Sequence, residues 1–133
     1  MLQAQRNKYF QTTVQTASPA QLLIMLYDGA IRFSRMAIDA IEKNQLQEAH
    51  NYLMRVQDII NEFVVTLDRS SPLAGQLLQL YEYFNRRLIE ANMKKDAEPV
   101  CEVLDHLVLL KETWIEASKS LQSKQAATGI SNA

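Results

Sequence analysis

The chain has 133 residues, 14 basic against 15 acidic side chains, and a formal net charge of -1. That length suits one domain whose core needs neither disulfide nor metal, and the near-neutral balance provides no global field to draw in nucleic acid or an anionic membrane. The single cysteine, Cys101, sits inside a helical pattern without a partner, which excludes a disulfide framework and indicates a reducing compartment.

Residues 1–17 place Tyr9, Phe10 and Val14 among glutamines and threonines. Such a segment cannot bury its aromatics by itself, so it is expected to lie as a lid on an apolar groove of the remaining chain. Met1–Phe10 lacks the apolar stretch of a secretory signal, and no run approaches the ~18 apolar residues of a membrane span. A protein of the cytosol, with no direct membrane insertion, is expected.

Ser18-Pro19-Ala20-Gln21 combines an N-cap serine, proline at the first helical position and a glutamine placed to close a capping box. The helix that follows, 19–42, carries two apolar stripes. One is Leu22, Leu26, Gly29, Phe33, Met36 and Ala40; the other is Ile24, Tyr27, Ile31, Ile38 and Ile41. Together they sweep an arc of roughly 200°, where a helix facing one core needs little more than ~100°. Lys43-Asn44-Gln45 reads as a tight reversal, because Asn44 tolerates the left-handed backbone. The second helix, 45–67, runs Leu46, Ala49, Leu53, Val56, Ile60, Phe63, Leu67. Ser71-Pro72 repeats the serine-proline start and opens a third helix over 72–94, with Leu77, Tyr81, Phe84, Leu88 and Ala91 on one face. The fourth, 97–121, aligns Val100, Val103, Leu107, Leu110, Trp114, Ala117 and Leu121. Residues 122–133 are small and polar and read as a disordered tail. Short connections between helices of about 36 Å predict an all-α, antiparallel, up-down four-helix bundle spanning 18–121.

Nothing in the pattern resembles catalysis. His50 and His106 are the only histidines, and the Glu-x-x-His spacings of a dimetal bundle are missing. No serine or cysteine has a nucleophile's context, and the connections are too short to carry a site. The chain is read as a non-enzyme without cofactor or metal. Arg86-Arg87 and Lys94-Lys95 suit the C-terminal pole of a helix dipole, not a nucleic-acid surface.

The informative residues are the apolar ones left over. Beyond each main stripe lie Ile24, Tyr27, Ile31 and Ile38 on the first helix, Tyr52, Ile59 and Val64 on the second, and Cys101, Leu104, Val108 and Ile115 on the fourth. These positions are the expected surface for a helix-in-groove partner, with Met25, Met36 and Met54 as adaptable contacts. The alternative is a homodimeric bundle scaffold that hides the same surplus permanently and takes no disordered client.

Tyr9, Thr16-Ala17-Ser18-Pro19, Leu22 and Met25-Leu26-Tyr27-Asp28-Gly29-Ala30 resemble the N-terminal signature of the flagellin-specific export chaperones, the FliS family. Leu80-Tyr81-Glu82-Tyr83-Phe84 followed by Arg86-Arg87-Leu88 and Ala91-Asn92 is similar to that family's third helix, and Trp114 falls at its late tryptophan. The resemblance implies a bacterial cytosolic chaperone that binds the disordered C-terminal segment of flagellin 1:1. It would prevent premature polymerisation and deliver flagellin to the cytoplasmic domain of the flagellar export gate. It also implies a role for Tyr9 in docking at the gate, and a client that displaces the N-terminal segment.

Overall fold

The computed structural model describes residues 17–131, with side chains through Leu121. These form α1 (Pro19–Glu42), α2 (Leu46–Thr66), α3 (Ala74–Lys94) and α4 (Glu98–Ser131), with no strand among the described residues. The N-terminal segment expected to act as a lid, with Tyr9, Phe10 and Val14, lies outside the described residues.

Local chemistry sets most of the helix ends. Ser18 Oγ accepts from the Gln21 amide at 3.2 Å while Gln21 Oε1 accepts from the Ser18 amide at 2.9 Å, the reciprocal capping box that the sequence predicts. The reversal after α1 uses Asn44 at φ 57°, and α3 ends on Lys95 at φ 50°, whose amide donates to the Ala91 carbonyl. The start of α3 differs from expectation. Ser71-Pro72 lies in a turn and the helix begins at Ala74, because the hydroxyl that would cap it is used earlier: Ser71 Oγ accepts from the Leu73 amide at 3.2 Å. The Asp68 carboxylate tightens the same turn by accepting from the Ser70 amide and hydroxyl. The tail predicted as disordered from residue 122 is instead helical through Ser131. Its Gln, Lys and Ala residues are good helix formers, and adding turns to an existing helix costs no new nucleus.

Around the bundle α1 packs on α2 and α4, and α3 packs on α2 and α4. Contacts across the seams between consecutive helices pair rising numbers on one helix with falling numbers on the next: Tyr27 with Phe63 and Phe33 with Tyr52, Asn61 with Asn85 and His50 with Asn92, Arg87 with Glu98 and Tyr83 with Glu102; Asp28 with Lys111 joins α1 to α4. Neighbouring helices thus run in opposite senses. The core is aromatic at one end, where Tyr27, Phe63, Tyr81 and Phe84 are 0–2% exposed, and aliphatic beyond, through Leu53, Val56, Ile60, Leu88, Val100, Val103 and Leu107. Most of the core positions predicted for α2, α3 and α4 are in place, while Leu46, the first residue of α2, and Leu121, ten residues before the end of α4, stay exposed.

On α1 the two stripes are resolved by packing. Tyr27, Ala30, Ile31, Ser34, Ala37 and Ala40 face inward and Leu26 and Phe33 pack against the core, whereas Leu22 and Met36 remain 37% and 38% exposed. Small inward residues let α1 sit close to its neighbours, and Gly29 lets Ile59 Cδ1 come within 3.3 Å of where a Cβ would stand. Tyr27 therefore belongs to the core and offers no surface to a partner, a correction to its place among the binding residues. Its ring stacks on Phe63 with centroids 4.5 Å apart. Its hydroxyl lies 3.1 Å from that of Tyr81 and accepts a hydrogen bond from Trp114 Nε1 at 3.1 Å.

Candidate functional site

Two seams of α1 stay open. Along the α1–α4 seam runs a depression of about 380 Å³ with Ile31, Met36, Val108 and Ile115 as its apolar lining and Asp28, Arg32, Arg35, Lys111 and Glu112 as its polar rim. Lys111 Nζ reaches Asp28 Oδ1 at 2.5 Å and ties the two helices together across it. Ile24 and Ile38 stand seven residues either side of Ile31, two turns along the same edge. Leu104 shares the line of Lys111, and Cys101 that of Val108, so the α4 edge continues the apolar strip towards the end of α1.

Cys101 is exposed and faces the acids Asp105, Glu42, Glu98 and Asp96. Partial burial first, then these neighbouring negative charges, push its thiol above the ordinary value. It lacks the lowered pKa of a reactive cysteine.

The α1–α2 seam holds a second depression of about 250 Å³, lined by Arg35, Met36, Ala40 and Tyr52 with polar Asp39, Gln45 and Glu48. Tyr52 packs beside Phe33 at 6.3 Å between centroids, and Ile59 reaches Gly29. Arg35 and Met36 line both depressions and so form the crest of α1 between them.

The predicted binding residues accordingly divide. Ile31, Val108 and Ile115 line the α1–α4 depression, and seven-residue spacing puts Ile24, Ile38, Cys101 and Leu104 on the same helix edges; Tyr52 lines the α1–α2 depression, and Ile59 reaches Gly29 of α1. Val64 follows Gln57 and Asn61 on the edge of α2 turned to α3, apart from both groups. Sequence reasoning passed over Arg32 and Arg35, although their spacing beside Ile31 places them on its edge of α1. It also passed over Ile89 and Met93, which with Met54 edge a shallow depression on the α2–α3 seam. Ile89 and Met93 lie off the main stripe of α3, at 47% and 80% exposure, so periodicity gave no signal for them.

The remaining seam, α3–α4, is closed by charge. Arg87 lies within 2.6 Å of Glu90, 3.3 Å of Glu98 and 3.3 Å of Glu102. The Tyr83 hydroxyl donates to the same Glu102 carboxylate. That hydrogen bond, followed by the Arg87 charge, holds Glu102 below the ordinary carboxylate value, and Lys94 and Arg87 do the same for Glu90. Among the described residues no cluster of three or more His, Cys, Asp or Glu side chains is placed to hold a metal ion, and no helix is long and apolar enough to cross a membrane.

The bundle thus closes its α3–α4 seam with ion pairs and keeps partly apolar depressions on both seams of α1. Its sequence matches the family described as flagellar protein FliS over residues 1–121. It is 34% identical to the flagellar secretion chaperone FliS of Bacillus subtilis over 121 residues, 91% of each chain. It is 33% identical to the protein of that name from Salmonella typhimurium over 111 residues, covering 81% of this chain and 82% of the relative. The flagellar secretion chaperone FliSB of Pseudomonas aeruginosa is also 33% identical, over 78% of this chain and 84% of its own. The chain belongs to the FliS family of flagellar secretion chaperones.

Proposed function

We propose that this protein is a cytosolic chaperone that binds the disordered C-terminal segment of flagellin 1:1, keeps it from polymerising early and delivers it to the cytoplasmic domain of the flagellar export gate. The observation that carries this reading is the apolar strip along the α1–α4 seam, in a chain whose named relatives are flagellar secretion chaperones. An amphipathic client helix laid on Met36, Val108 and Ile115 buries its apolar face there, while the charged rim of the groove stays hydrated. Each large side chain so buried contributes roughly 1.5–3 kcal/mol before the cost of ordering the client is subtracted. A segment that orders on binding thus needs several such anchors to be held.

In the free protein residues 1–17 are the lid, with Tyr9, Phe10 and Val14 covering apolar surface that the client later takes; Tyr9 also contacts the export gate. A short self-segment competes through its high local concentration and yields to a longer client with more anchors. The exchange is reversible, as delivery requires.

The test is capture of purified flagellin, full length and lacking its C-terminal segment, by the parent and by Val108→Asp and Ile115→Asp. Full-length flagellin is expected to bind the parent. The truncated form is not, and each aspartate variant is expected to bind at least tenfold more weakly with helicity unchanged. Equal capture of truncated flagellin refutes the client assignment. Parent-like binding by both variants refutes the groove, and an obligate dimer that ignores flagellin establishes the scaffold alternative.

A further inference from the structure

With Lys111 and Asp28 paired to each other across the α1–α4 groove, the charges left on its two walls are unlike: Arg32 and Arg35 on α1, Glu112 on α4. On the α1 side Arg32 and Arg35 are exposed, line the groove, and make no ion pair among the described residues. Asp28, the acid of α1 that lines this groove, is engaged by Lys111 at 2.5 Å, and Asp39, which lines the adjoining depression with Arg35, pairs with Lys43 at 3.0 Å. The Arg32 guanidinium lies 5.0 Å from the centre of the Phe33 ring, which gives the long side chain an apolar rest on the crest of α1. The acid of the opposite wall is Glu112, on α4. Spaced three apart, the two arginines stand one turn from each other along a single edge.

We propose that this basic wall selects the part of the client that occupies the groove: an amphipathic helix with an acidic flank beside its apolar face, docked with that flank against Arg32 and Arg35. The proposal rests on the groove being the client site and adds both the chemistry and the direction of what lies in it. A helix seated by its apolar stripe presents one flank to α1 and the other to α4, and reversing it exchanges the flanks. An acidic flank therefore fits in one sense only, with Glu112 repelling it in the other.

The experiment uses the full chain and two synthetic peptides with the same Leu and Ala stripe, one with glutamate on a single flank and one with lysine there. Fluorescence anisotropy at low and high salt gives affinities for the parent and for Arg32→Glu/Arg35→Glu, and flagellin capture is measured alongside. The parent is expected to prefer the glutamate peptide by about tenfold at low salt, the preference shrinking as salt is raised. The double variant is expected to reverse it while keeping its helicity. Equal affinities of the parent for the two peptides, an unaltered preference in the double variant, or failure of both peptides while flagellin binds normally each overturn the charge assignment. If flagellin itself is not captured by the parent, the underlying groove reading fails instead, and the peptide comparison separates the two results.

Discussion

Removing the hydroxyl of Tyr27 should cost far more alone than together with that of Tyr81. Tyr27 is fully buried, and its oxygen is the junction of two hydrogen bonds, one with the Tyr81 hydroxyl and one from Trp114 Nε1, each 3.1 Å long. Tyr27→Phe keeps the ring and its stack on Phe63 but loses both bonds and strands the Tyr81 hydroxyl, which at 2% exposure has no water to turn to. With about 1 kcal/mol for each neutral bond and a further penalty for the stranded group, the expected loss is roughly 2–3 kcal/mol. Tyr81→Phe loses one bond and leaves Tyr27 still held by Trp114, for about 1–2 kcal/mol. The double variant leaves only the indole N–H unmatched, and Trp114 is partly exposed, so about 1–1.5 kcal/mol is expected. The cycle should therefore show a coupling of roughly 2–3.5 kcal/mol. Equilibrium urea unfolding, followed by far-ultraviolet circular dichroism and by the emission of Trp114, the single tryptophan, measures all three. A double variant that loses the sum of the two single losses would refute the hydrogen-bonded junction.

The same pair sets an alkaline limit. Burial raises both phenols above their ordinary value of 10.0, so the stability they contribute is complete below that pH and falls as pH climbs past it, when the unfolded chain ionises first. Thermal melts should decline above about pH 10, and less so for the double phenylalanine variant. Arg87→Gln is expected to lower stability at neutral pH and flatten its acid dependence. Glu90 and Glu102 are held below the ordinary 4.5, so their contribution is present above that value and lost as pH falls through their depressed pKa; a parent-like acid profile in the variant would deny the clamp. Gly29→Ala should gain a few tenths of a kcal/mol by urea melts, from about 0.8–1 kcal/mol of helix propensity set against the 3.3 Å approach of the flexible Ile59 tip. Gly29→Val should instead cost about 1–3 kcal/mol, and equal effects of the two would misplace that contact. Deleting residues 1–15 is expected to preserve helicity while raising self-association in sedimentation and tightening flagellin binding; no change in either would remove the lid.

Local rules were enough for much of the fold. The α1 capping box, the left-handed Asn44 and the three-and-four spacing of Leu53, Val56, Ile60 and Phe63 depend on neighbours within a turn or two. The start of α3 escaped because Ser71 had two possible uses, and only the folded turn shows that its hydroxyl serves Leu73. The end of α4 escaped because an apolar period reports where packing stops, not where backbone hydrogen bonding does.

What the sequence by itself determined is that four amphipathic helices carry more apolar surface than one another's faces require, since that surplus is a property of each helix's own arc. Which of the surplus stays outside was decided by the tertiary structure alone. Both stripes on α1 are apolar, and the fit of Tyr27 between Phe63, Tyr81 and Trp114 sets the rotation of the helix that buries Ala40 and leaves Leu22 and Met36 in solvent. The pairing of α1 with α4, remote in the chain, then assembles Ile31, Val108 and Ile115 into one groove. Periodicity orients residues about their own helix axis; it carries no information on which other helix stands beside them.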